Sequence, residues 1–77
     1  MKKYLLSSLL PFIRDEEITY YGQLSEDVII YLISAAPFVD SEKLYKLSKL
    51  TVEQLKEAIE ILPLIDAEEM EIYFNQL

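Results

Sequence analysis

DSEKLYKLSKLTVEQLKEAIEIL, residues 40–62, decides how the rest of the chain is read. Asp40 or Ser41 offers a side-chain oxygen to cap a helix start, and Leu44, Leu47 and Leu50 then recur every three residues. Thr51-Val52-Glu53-Gln54 has the spacing of a capping box, in which Thr51 bonds forward to the amide of Gln54 and Gln54 reaches back. Val52, Leu55, Ile59 and Leu62 follow at intervals of three, four and three, with Ala58 beside them. That is one apolar stripe of a helix, and Pro63 stops it. The stretch therefore predicts two short helices with a tight joint between them.

Upstream, Ser25 is a good N-cap, and Glu26 and Asp27 sit where the helix dipole favours acids. Residues 28–33 are apolar all round, which suits a buried helix or a buried strand. The cap, the length and the closing Ala35 and Ala36 favour helix, ended by Pro37, with Phe38 and Val39 as a short extended link. Residues 3–14 predict an N-terminal helix, with Tyr4, Leu5, Leu9, Phe12 and Ile13 on one face and a bend or restart at Pro11. Residues 18–24, ITYYGQL, are rich in strand formers and hold the only glycine, so they read as an extended piece ending in a turn. Downstream, residues 63–77 read as a hairpin or tail. Met70, Ile72 and Phe74 alternate with Glu71 and Tyr73 as in a strand, whereas Glu68 and Glu69 also suit a helix start.

A buried helix, an extended link, two capped helices and a two-stranded end follow the order of a winged helix-turn-helix. The stretch EDVIIYLISAAPFVDSEKLYKLSKLTVEQLKEAIEIL, residues 26–62, resembles that family, with Leu44, Leu47, Leu50, Val52, Leu55 and Ile59 at suitable spacing. It is similar to winged helices of chromosome-segregation accessory proteins as much as to those of DNA-binding regulators. Lys49 and Leu50 stand where the family often has a glycine, and the wing is very short. The resemblance implies a mostly α domain with a helix-turn-helix core and a small C-terminal β-hairpin.

With 77 residues, half of them apolar, the chain suits one small folded domain. Cysteine and histidine are both missing, which rules out disulfides, thiolate or imidazole zinc sites and Cys/His nucleophile pairs. There is no glycine-rich phosphate loop, and no cofactor or metal is expected. Seven basic residues against fourteen acidic ones give a net charge of −7, which repels nucleic acid and anionic membranes at long range. Lys2 and Lys3 before an apolar run resemble a short signal peptide. Pro11 interrupts that run and Arg14 and three acids close it, so a cytoplasmic, non-membrane protein is expected.

The second helix of the opening stretch presents Glu53, Gln54, Lys56, Glu57 and Glu60, an acidic set for a helix that would read bases. Lys43, Lys46 and Lys49 form a basic stripe on the preceding helix. Together with Gln54 and Lys56 they are the candidate nucleic-acid contacts; read otherwise, they are a solvated face or a contact for an acidic partner. Two acid clusters, residues 15–17 and 66–71, lack the spacing of a cation loop and serve either solubility or imitation of a phosphate backbone. Six tyrosines and no tryptophan make tyrosine the main amphipathic contact residue. Leu5, Leu9, Phe12, Tyr20, Tyr21 and Tyr45 are the candidate protein-interface residues. The expectation is a non-enzymatic protein–protein interaction module that binds another protein, itself included as a homodimer. A dimeric DNA-binding regulator and an acidic DNA mimic are the alternatives.

Overall fold

All but one of the α-helices described start on a side-chain oxygen or stop at a proline. The computed structural model describes residues 2–77. Its helices are α1 (Lys2–Leu9), α2 (Ile18–Gly22), α3 (Glu26–Ala35), α4 (Ser41–Leu47), α5 (Val52–Ile61) and α6 (Ala67–Asn75). Ser25, Asp40, Thr51 and Asp66 accept hydrogen bonds from the amides of Val28, Lys43, Gln54 and Glu69 at 3.4, 2.8, 3.2 and 2.8 Å. Gln54 and Glu69 return the bond to the amides of Thr51 and Asp66, so the expected capping box forms and a second one appears at α6.

The prolines impose a common geometry. Pro11, Pro37 and Pro63 fall at a constant interval of 26 residues. Each sits in the middle of a three-residue 3-10 turn, Leu10–Phe12, Ala36–Phe38 and Leu62–Leu64. The next residues, Ile13, Val39 and Ile65, are all extended and lead to the start of a second helical segment. The chain is therefore three copies of one unit: helix, proline turn, extended residue, second helix. The first helices α1, α3 and α5 pack side by side with α3 in the middle. Leu9, Leu32 and Leu55 from these helices, and Leu62 from the third proline turn, are buried with Tyr21, Leu44, Leu47 and Phe74 from the second helices. Neighbouring helices pack about 10 Å apart, and the molecule measures 33 × 23 × 17 Å.

The mostly helical expectation holds, and three local expectations are corrected. The N-terminal α-helix ends at Leu9, because Pro11 forces the next residues into a 3-10 turn. Residues 18–24 are helical over Ile18–Gly22 instead of extended. There the acids Asp15–Glu17 wind a helical turn, with Glu17 accepting from the amide of Arg14 at 3.0 Å. Burial of Tyr21 in the core then outweighs the strand preference of Ile, Thr and Tyr. The C-terminal hairpin is replaced by α6, and no strand forms among the described residues. Met70 and Phe74 lie four apart on its packed side, while Ile72 between them is exposed. What reads as strand alternation is thus one helical face plus an outward isoleucine. Within the core, Leu32, Leu47 and Leu55 are buried as the stripes imply. Ile33 and Ile59 are half-buried, whereas Ile30 is 46% exposed because α3 turns Ile29 inward in its place.

Candidate functional site

Unit-to-unit contacts set the frame for the surface. Between the first and second units, the rings of Tyr20 and Tyr45 lie 5.1 Å apart, and the Tyr20 and Ser48 hydroxyls are 2.8 Å apart. Lys49 Nζ stands 4.7 Å from the centres of both rings. Tyr45, ahead of Tyr20, holds the Lys49 ammonium above its ordinary pKa. Between the second and third units, Glu71 and Phe74 hold the places of Tyr45 and Ser48. Lys43 Nζ is 2.7 Å from Glu71 Oε1 and 6.0 Å from the centre of the Phe74 ring. The Glu71 hydrogen bond raises the pKa of Lys43, with Asp40 adding to it at 3.7 Å.

Tyr21 lies beside Tyr20, edge to face at 5.2 Å, and is fully buried. Its hydroxyl finds no hydrogen-bond partner among the described residues. The neighbouring Ser48 hydroxyl is engaged with Tyr20 and with the Tyr45 carbonyl. Burial, then the charge of Glu17, pushes the Tyr21 phenol well above its ordinary pKa. Burial and Glu57 do the same, more mildly, to Tyr73.

The candidate interface residues are only partly available to a partner. Leu9 and Tyr21 are fully buried in the chain's own core, which corrects their assignment as contact residues. Leu5 and Tyr20 are half-buried against that core, and Phe12 and Tyr45 are exposed. Among the candidate nucleic-acid contacts, Lys43 and Lys49 are engaged as described. Gln54 is held in the capping box, and Lys56 Nζ lies 6.0 Å from the centre of the Tyr31 ring. Lys46 borders a cleft of about 470 Å³ with Lys49, Leu50, Phe74, Asn75 and Leu77. The acids also have local roles, since Glu17, Asp40, Asp66 and Glu69 accept hydrogen bonds from backbone amides at helix starts.

Two surface features were not among the candidates, apart from Phe12, which belongs to the first. Phe12, Phe38 and Leu64, each the last residue of a proline turn, are all exposed, Leu64 by 82%. Equivalent places in stacked units form a row, with steps of about 10 Å. At the end of the third unit, Ile61, Ile65, Glu69, Ile72, Tyr73 and Gln76 line a second cleft of about 300 Å³. The fixed proline spacing is the sequence signal that points to both.

Among the described residues, no group of three His, Cys, Asp or Glu side chains is placed to hold a metal ion. No helix among the described residues is long and apolar enough to cross a membrane. No protein-family model, no curated protein and no solved structure matches the chain.

Proposed function

We propose that the chain is a non-enzymatic scaffold for protein contact, built from three repeated helical hairpins. The exposed row of Phe12, Phe38 and Leu64 supports this reading. One exposed apolar residue is ordinary for a protein surface. The same apolar place left open in three successive units is a repeated contact surface, the usual use of stacked helical repeats. On this reading α4 and α5 form a helix-turn-helix pair that serves contact. The same joint recurs as α2 and α3, with Ser25 and Thr51 as equivalent caps. The acidic second helix then has no bases to meet.

Retention of a stoichiometric protein from host extract by the tagged chain tests the proposal. Replacing Phe38 and Leu64 by Lys together abolishes retention if the row is the contact. Unchanged retention by the double variant, or none by the wild type, counts against it.

A further inference from the structure

The third unit ends in a face whose counterparts in the earlier units are mostly covered by the next unit. Ala35 and Leu47, the equivalents of Ile61 and Tyr73, are fully buried. Lys43, the equivalent of Glu69, reaches across to Glu71 of the following unit. Of the equivalents of Ile72, Tyr20 is half-buried and meets Ser48, whereas Lys46 is exposed and borders the cleft beside Phe74. In the third unit the same positions surround an open cleft, and Ile72 is 57% exposed.

The first unit is finished differently. Its outer end carries exposed Lys3 and Ser7. Ile29 and Leu55 are buried where Lys3 stands, and Ile33 and Ile59 are half-buried where Ser7 stands. Polar residues at these places make a partial cap of the kind that terminates a repeat array, beside Leu10, which is 41% exposed where Ala36 and Leu62 are buried. The molecule thus has one partly capped and one uncapped end.

We propose that the uncapped end is the contact between two copies of the chain, paired two-fold, third unit against third unit. This rests on the protein-contact reading and names one face and one partner. Head-to-tail stacking would set Lys3 and Ser7 against Ile61 and Ile72, a polar surface on an apolar one, and would grow without limit. Two-fold pairing matches apolar surface to apolar surface and leaves a six-unit array partly capped at both ends. Glu69 lies on the face, but its carboxylate is tied to the amide of Asp66 at the α6 start. The two shorter dimensions of the molecule are 23 and 17 Å. A standard stable interface takes about 800 Å² of accessible surface per partner, so this face supports a weak, concentration-dependent dimer.

Sedimentation equilibrium of the pure chain up to tens of micromolar tests it, at low and high salt. The mass rises to that of a dimer and no further, and added salt strengthens pairing because it screens two like-charged chains. Ile72→Lys weakens the dimer at least about tenfold, while Ile30→Lys leaves it intact. Both substitutions use a residue that another unit already carries at the same position, Lys46 and Lys56, and circular dichroism verifies the fold. A monomer at all concentrations, a mass that keeps growing, or a dimer indifferent to Ile72→Lys overturns the proposal. The row variants at Phe38 and Leu64 report on the protein-contact reading separately, through retention of a host protein.

Discussion

Lys43 Nζ and Glu71 Oε1 stand 2.7 Å apart and tie α4 to α6. The pair is uneven, because the Lys43 side chain is largely covered while Glu71 is 65% exposed. Water competes at the Glu71 end, so the pair is worth less than its distance suggests. A double-mutant cycle of Lys43→Met and Glu71→Gln in urea is expected to give a coupling of about 0.2–1 kcal/mol at low salt, and less at high salt. Coupling well above that range would show that the pair behaves as a buried one.

The Tyr21 hydroxyl is buried without a partner, while its ring packs in the core. Leaving such a group unsatisfied costs about 1–3 kcal/mol. Tyr21→Phe keeps the ring and removes the cost, so it is expected to stabilise the fold by roughly 1 kcal/mol. Chemical denaturation at neutral pH measures this, and a destabilised variant would mean that the hydroxyl is satisfied.

The same residue sets an alkaline limit. Its folded pKa is raised above the unfolded value of about 10. Above that pH the unfolded chain has released the proton that the native state still holds. The contribution is complete below about pH 10 and is lost as pH climbs toward the folded pKa, at about 1.4 kcal/mol per pH unit. Tyr73 and Lys43 shift in the same direction and add to the slope. Denaturation midpoints should fall on the alkaline side, and Tyr21→Phe should flatten that fall.

Gly22 closes α2 without a positive φ, and a Cβ built there meets only Leu6 Cδ2, at 3.7 Å, an ordinary contact. Gly22→Ala is therefore expected to stabilise by about 0.4–1 kcal/mol, through the unfolded chain and helix propensity. A thermal melt reads the sign directly.

Leu55 and Ile30 separate core from surface on the two long helices. Leu55 is fully buried, so Leu55→Ala should cost about 2–5 kcal/mol. Ile30 is half open to solvent, and Ile30→Ala should cost clearly less, measured by the same urea titration.

Which parts of the fold were legible follows from where their causes lie. α3, α4 and α5 announce themselves through Ser25, Asp40, Thr51 and the prolines, all local signals. α2 does not, because Ile18 to Tyr21 are strand-like residues with Tyr21 buried in the core; α6 has a local signal in the Asp66 and Glu69 capping box, which the strand-like alternation of Met70 to Phe74 obscures. The exposed row and the end face were missed because the units share a pattern more than they share residues. Ala35 stands where Leu9 does, and Phe74 where Gly22 does, so the repeat shows in the proline interval, in the paired caps Ser25 with Thr51 and Asp40 with Asp66, and in the extended residue after each turn.

Duplex DNA provides the sharpest negative expectation. Affinity for a duplex comes largely from lysines and arginines that displace counterions from phosphates. Here the net charge is −7. Four of the five candidate contacts have other commitments. Lys43 pairs with Glu71, Lys49 lies over Tyr20 and Tyr45, Gln54 closes its capping box, and Lys56 lies by Tyr31. Freeing any of them for phosphate would sacrifice a contact that holds neighbouring units or a helix start. A two-fold dimer through the third units would double the negative charge without supplying a basic ridge. No mobility shift of duplex DNA is therefore expected at about 0.15 M salt, for either monomer or dimer. A specific shift at sub-micromolar protein would reverse the assignment and make the Lys43, Lys46 and Lys49 stripe the functional surface, with Lys46→Glu as the variant that should then abolish it.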